Sequence, residues 1–154
     1  MNTLVVYDTR FGDTATIACA IANGLRVYGP VRVLAMDEAT VPQLNGIDLL
    51  VLGCPVHNHA ATPAMQAWVE RLPPDILERV PVATFDTRYH IARWLAGSAA
   101  QALAQTVAER GGVFVTAPES FFVTAREGPL ESGELDRAYR WADQVCRALD
   151  ERTP

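Results

Sequence analysis

The sequence predicts an α/β fold, a parallel sheet covered by helices on both faces. Two observations carry this expectation. Five short apolar runs are continuous rather than alternating, as in strands buried on both sides, and they are interleaved with stretches of helical periodicity. The first run empties through Asp8–Thr14 into a helical segment. That junction offers unpartnered backbone N–H groups and a favourable helix dipole to an anion.

The elements follow in order. Thr3–Tyr7 is the first strand, and Ala15–Tyr28 is a helix with Ile17, Ile21 and Leu25 on one stripe, closed by Gly29-Pro30. Val31–Ala35 is the second strand. Asp48–Cys54 is the third, bounded by Asn45-Gly46 and Pro55. Pro63–Leu72 is a helix with Thr62 as its cap and proline at its first position. Val80–Phe85 forms the fourth strand, followed by a loop over Asp86–Leu95 and a helix from Ser98 to about Glu109. Gly111-Gly112 ends that helix. Val113–Thr116 begins the fifth strand, with Phe121–Val123 as its candidate continuation. The last helix, Glu134–Leu149, is expected to face the core with Leu135, Ala138, Trp141, Ala142, Val145 and Leu149.

At 154 residues the chain fits one domain, and no linker, repeat or low-complexity tract divides residues 1–154. A formal charge of −5 argues against nucleic acid or an anionic membrane and leaves room for a basic protein partner. No apolar run reaches bilayer length, and no leader peptide is expected ahead of the first strand. Cys19, Cys54 and Cys146 are an odd count without a ligand spacing, which points to a reducing cytoplasm. Abundant Ala and Arg with little Lys suggests a GC-rich bacterial source.

Ligands of open parallel sheets bind beyond the carboxyl ends of the strands, where the strand order reverses. Three loops leave those ends: Asp8–Thr14, Cys54–Thr62 and Asp86–Leu95. The first offers the hydroxyls of Thr9 and Thr14 and the backbone of Gly12, enough to hold a phosphate monoester without lysine. Neither GxxxxGK[ST] nor GxGxxG occurs, which disfavours ATP and dinucleotides.

Thr9-Arg10-Phe11-Gly12-Asp13-Thr14 resembles the flavodoxin phosphate loop, Ser/Thr-x-Thr-Gly-Asn-Thr. Gly53-Cys54-Pro55-Val56-His57-Asn58 is similar to that family's Gly-Ser-Pro-Thr-Tyr-Asn loop, with Thr62-Pro63-Ala64-Met65 opening the next helix. Phe85-Asp86-Thr87-Arg88 and Trp94-Leu95-Ala96-Gly97-Ser98 resemble the loop that covers the flavin's other face. Pro118–Val123 and Glu127-Gly128-Pro129-Leu130 resemble the C-terminal part of a flavodoxin-domain subgroup. The resemblance implies a three-layer αβα sandwich whose five parallel strands run in the order 2-1-3-4-5. It also implies FMN held non-covalently, its phosphate on Thr9, Gly12 and Thr14, beside Arg10, Phe11 and Asp13. The ring would then lie between Cys54, Pro55, Val56, His57 and Asn58 on one side and Asp86, Thr87, Arg88, Tyr89 and Trp94 on the other. The implied function is electron transfer to a redox partner protein or a small redox substrate. Two alternatives stand beside it: a flavin-dependent oxidoreductase acting on a quinone or tetrapyrrole-like substrate, and a degenerate domain that has lost FMN and binds metal or a protein.

Three residues depart from the family pattern. Asp13 replaces the phosphate-loop Asn, Cys54 replaces Ser, and the second loop carries His57 and His59 where the family often stacks an aromatic. Asp13 either caps the helix, occupying the phosphate's own position, or rotates away. A carboxylate about 5 Å from a dianionic phosphate costs roughly 2 to 7 kcal/mol. His57, His59 and His90 have three readings: polar rim residues, flavin contacts, or a metal or proton-transfer site built on His57 and His59 with His90 or Cys54. Tyr89 and Trp94 are candidates for stacking on the ring, with Trp94 alternatively packing on the helix it precedes. Trp68 and Trp141 fall at core spacing. Arg88 and Arg93 can meet a phosphate or an acidic substrate. Cys19 and Cys146 are expected to be small buried residues, and Cys54 to line the pocket, where His57 is near enough in sequence to act as its base.

Overall fold

The computed structural model describes residues 1–152. Five parallel strands form one sheet in the order β2-β1-β3-β4-β5. They are β1 Thr3–Tyr7, β2 Val31–Ala35, β3 Leu49–Pro55, β4 Val82–Tyr89 and β5 Glu119–Val123. The helices are α1 Asp13–Leu25, α2 Pro63–Glu70, α3 Pro74–Arg79, α4 Arg93–Ala96, α5 Ala99–Glu109 and α6 Glu134–Arg152. A 3-10 turn at Val41–Leu44 precedes β3. This is the three-layer sandwich and strand order that the resemblance implied. No helix among the described residues is long and apolar enough to cross a membrane.

The central strands are apolar throughout because each face meets a helical layer. Leu4, Val6, Leu50 and Leu52 pack with Met65, Trp68 and Leu103 of α2 and α5. Val5, Leu49, Val51 and Phe85 pack with Ile17 and Ile21 of α1 and with Trp141 and Val145 of α6. Alternate residues of one strand therefore feed two cores, leaving no polar face for a period of two to show. Trp68 and Trp141 are both buried core residues, as their spacing predicted.

Several elements differ from the sequence reading, each for a local reason. Val113–Thr116 is not a strand: Phe114 makes an isolated bridge to Val82, and the chain bends before Pro118, which has no N–H to extend a ladder. The fifth strand is Glu119–Val123, in register from Phe85↔Glu119 to Tyr89↔Val123. The fourth runs on to Tyr89, because Asp86 and Thr87 are buried and find internal partners. α3 begins at the second of two prolines, which suits a first helical position. Leu135 is 46% exposed at the start of α6, where Glu134 is buried in its place, and Leu149 is only partly buried. Cys19 is exposed on α1, whereas Cys146 is buried.

α1 and α6 approach closely at Gly24. A Cβ there would lie 2.6 Å from Ala142 Cβ and 2.7 Å from the Tyr139 carbonyl oxygen. Alanine ordinarily gains about 1 kcal/mol over glycine inside a helix. Here the carbonyl cannot yield without moving α6, so Gly24→Ala is expected to lower stability by about 1–3 kcal/mol. Urea denaturation followed by circular dichroism measures this, and a stabilised variant would show the helices are free to separate.

Candidate functional site

The loops leaving the carboxyl ends of β1, β3, β4 and β5 enclose a cleft of about 370 Å³, within the range of small-molecule sites. It straddles the switch point, where β2 and β3 flank β1 on opposite sides.

The first loop is held by its own side chains. Asp8 accepts from the Thr9 N–H at 3.0 Å and from the Thr62 hydroxyl at 2.6 Å, tying the first loop to the start of α2. Thr9 Oγ1 accepts from the Gly12 N–H at 3.0 Å. Gly12 precedes the helix in a left-handed conformation, φ 96°, which glycine adopts without a Cβ clash. Thr16 N–H bonds the Gly12 carbonyl, so the N–H groups of Asp13, Thr14 and Ala15 lie ahead of the first intrahelical bond. The Thr14 and Thr87 hydroxyls are 2.7 Å apart and buried, locking the helix start to β4.

Asp13 is the first residue of α1 and makes no capping bond, so the capping expectation is not met. Its carboxylate lines the cleft and is turned to the loop after β5. A Cβ on Gly128 would sit 2.7 Å from Asp13 Oδ2. Partial burial raises the Asp13 pKa above its ordinary value. The β5 loop was not among the sequence-derived site loops, yet Val123 and Arg126 line the cleft, and Arg126 stands 6.0 Å over the Phe11 ring. The turn residues Glu127-Gly128-Pro129 directly after a strand's carboxyl end were the available signal.

In the second loop, His57 and Ala60 exchange backbone hydrogen bonds of 2.8 and 3.0 Å around Asn58 and His59. Both central residues have positive φ, 48° and 66°, as a tight type I′ turn requires. Gly97 permits this turn to close on the third loop, since a Cβ there would lie 2.2 Å from the His59 carbonyl oxygen. Gly97→Ala is expected to displace the turn and speed amide exchange at His57 and Ala60 by about tenfold, read by hydrogen-exchange NMR.

The cleft gathers Thr9, Arg10, Phe11, Asp13, Thr14, Pro55, Val56, Asn58, His59, Thr87, Arg88 and Tyr89 from the candidate residues and adds Ile91, Leu95 and Ala96, while Gly12 and His57 are not part of its lining. Others are placed elsewhere. Cys54 is wholly buried on the α2–α5 side of the sheet and does not line the cleft. Burial pushes its thiol up to about 12, which removes the nucleophile reading with His57 as base. Asp86 is also wholly buried: its carboxylate accepts from the Ser98 hydroxyl at 2.8 Å and the Ala100 N–H at 3.0 Å, capping α5. Burial raises its pKa, against the opposing pull of the Ala100 N–H, nearby serines and Arg88.

Trp94 is 81% exposed. It neither lines the cleft nor packs on α5, but sits with Arg93 in a shallow groove beside the cleft. Arg88 is spent internally, donating to Ser120 Oγ at 3.0 Å and to the Ile91 carbonyl at 2.9 Å while lying over Phe122. The histidines do not converge. Arg10 Nη1 lies 3.1 Å from His57 Nδ1, His59 borders both cleft and groove, and His90 stacks on Phe122 at 3.9 Å while pairing with Glu131. Among the described residues no three metal-binding side chains come together, so His57, His59 and His90 form no metal centre with Cys54.

Comparison with known proteins agrees with this architecture. No curated protein sequence matches the chain. A flavodoxin from the domain Archaea superposes with a TM-score of 0.80 at 17% identity, over 97% of this chain and 99% of that one. Oxidised flavodoxin 1 from Bacillus cereus gives 0.77 at 16% identity, over 96% and 98%. Rubredoxin oxygen:oxidoreductase from the anaerobe Desulfovibrio gigas gives 0.76 at 15% identity, over 97% of this chain and 36% of that one. At these identities the likeness shows the fold. The flavodoxin domain model matches residues 4–115, from β1 to beyond α5, and by that match the chain belongs to the flavodoxin domain family.

Proposed function

We propose that this chain binds FMN in the cleft and transfers electrons between that cofactor and a redox partner. The observation carrying the proposal is the pairing, within one cleft, of a helix N-terminus and an apolar wall. The donor set suits a phosphate: the N–H groups opening α1, the Thr9 hydroxyl, and the hydroxyl pair of Thr14 and Thr87. Arg10 lines the same cleft and offsets part of the Asp13 charge. The rest suits a planar ring, because Phe11, Tyr89, Ile91 and Leu95 are large apolar side chains left exposed together at the rim. Thr9, Gly12 and Thr14 would hold the phosphate. Val56 and Tyr89, from loops on opposite sides, would flank the ring.

When bound, FMN supplies reversible one- and two-electron transfer. The chain's own task is to orient it, exclude water and set its potentials. The Val56 N–H is committed to the Thr87 carbonyl at 3.0 Å, and the closed turn of Asn58 and His59 stiffens the wall beside it. Of the two third-loop arginines that could meet an acidic substrate, Arg88 is engaged internally and Arg93 lies outside the cleft, which supports the carrier reading.

Visible absorbance of the purified protein after incubation with FMN and desalting tests the proposal. Stoichiometric retention of flavin absorbance is expected. A colourless protein that also fails to take up FMN at high concentration would sink it.

A further inference from the structure

The residues lining the cleft and its neighbouring groove include four arginines, Arg10, Arg88, Arg93 and Arg126, against one carboxylate, Asp13. The formal charge is −5, yet Arg93 at the start of α4 and Arg126 on the loop after β5 both stand exposed, with Glu127 the exposed carboxylate next to Arg126. Asp13 is the sole carboxylate among the residues lining the cleft and its neighbouring groove, and Arg10 shares the cleft with it. Neither Arg93 nor Arg126 forms an ion pair among the described residues, where the paired arginines are Arg79, Arg88, Arg137 and Arg147. Arg93 lies outside the cleft, so a ligand within it leaves that charge unspent.

Apolar surface accompanies these charges. Trp94 projects beside Arg93, and Phe11 lies under Arg126. Exposed tryptophan, phenylalanine and arginine together are the composition of an interface core rather than of ordinary solvated surface. Guanidinium groups match carboxylates in a bidentate fork, and a local field of this sign orients an acidic approach within a Debye length despite the net charge. A second copy meeting it face to face would set the same arginines against each other, so symmetric self-association through this face is opposed.

We infer that this face, from Arg126 across the cleft mouth to Arg93 and Trp94, docks a protein whose own docking face is acidic. That the partner is a redox protein rests on the proposed function; the sign of its charge rests on the rim alone. The net charge by itself leaves room for a basic partner; the arginines at this face are the ground for inferring an acidic one.

The test uses two probes sharing one fold and opposite charge, native cytochrome c (basic) and its succinylated form (acidic). Each is titrated into the isotope-labelled protein at low salt, with and without FMN. The succinylated form is expected to shift the Trp94 indole N–H and the rim amides saturably, with affinity falling as salt rises. Arg93→Glu and Arg126→Glu together are expected to weaken it by about tenfold or more, in a variant whose spectrum remains that of the folded chain. The native form is expected to leave the rim unperturbed. Perturbation of the rim by the native form, no perturbation by the succinylated form, self-association through Trp94, or binding to phosphatidylserine vesicles instead would each overturn the inference. Because the shifts are read on the protein, failure to take up flavin counts against the cofactor alone, and an unperturbed rim counts against the docking face alone.

Discussion

Asp13→Asn is expected to tighten FMN binding by about ten- to a hundredfold, or roughly 1.4 to 3 kcal/mol. The carboxylate lines the cleft, makes no capping bond and lies against Gly128, so the loop after β5 limits its retreat. Asparagine keeps the shape and removes the charge from a position beside the anion. Wild-type affinity should follow the same charge through pH. Partial burial raises the Asp13 pKa, so the carboxyl takes up its proton at a higher pH than an exposed one. Repulsion is therefore relieved as pH falls through that value, and the affinity gap between wild type and Asp13→Asn closes. Fluorescence titration of both proteins across pH measures this, with riboflavin, which lacks the phosphate, as the control. Equal affinities for FMN at neutral pH would mean that the carboxylate does not sense the phosphate.

Gly53→Ala is expected to cost about 3 kcal/mol of stability, the upper end for overpacking a core. Gly53 pairs with Tyr7 on β1 and with Phe85 on β4, and a Cβ there would stand 2.1 Å from Phe85 Cζ. The ring cannot withdraw, because Phe121 and Trp141 meet it edge-on at 6.1 and 6.3 Å. For a domain of this size that loss lowers the melting temperature by about 6–12 °C. Phe85→Leu in the same chain should recover part of it, so a thermal double-mutant cycle reads the coupling. Strict additivity of the two losses would show that the clash is absorbed elsewhere.

The sequence was most legible where one physical cause acted alone. Buried parallel strands gave continuous apolar runs, and the Thr9–Thr14 loop read directly as a helix N-terminus suited to an anion. It was least legible where tertiary partners decide. Asp86 read as a loop residue because a carboxylate inside a strand is costly; here the Ser98 hydroxyl and Ala100 N–H offset part of that cost at Oδ2. Cys54 alternates to the wrong face for the cleft, which strand register decides. Trp94 and Arg88 both depart from their expected roles, since the arginine reaches Ser120 on a neighbouring strand and the tryptophan is left in solvent. Gly128 approaches Asp13 across more than a hundred residues, a contact no local pattern encodes.

Parallel titrations with FMN and riboflavin test whether this cleft holds FMN by its phosphate as well as its ring. Quenching of flavin fluorescence is expected to saturate at one equivalent of FMN, with riboflavin binding more weakly and Gly97→Ala weakening both. Equal affinity for the two flavins, or no saturable quenching by either, would contradict it.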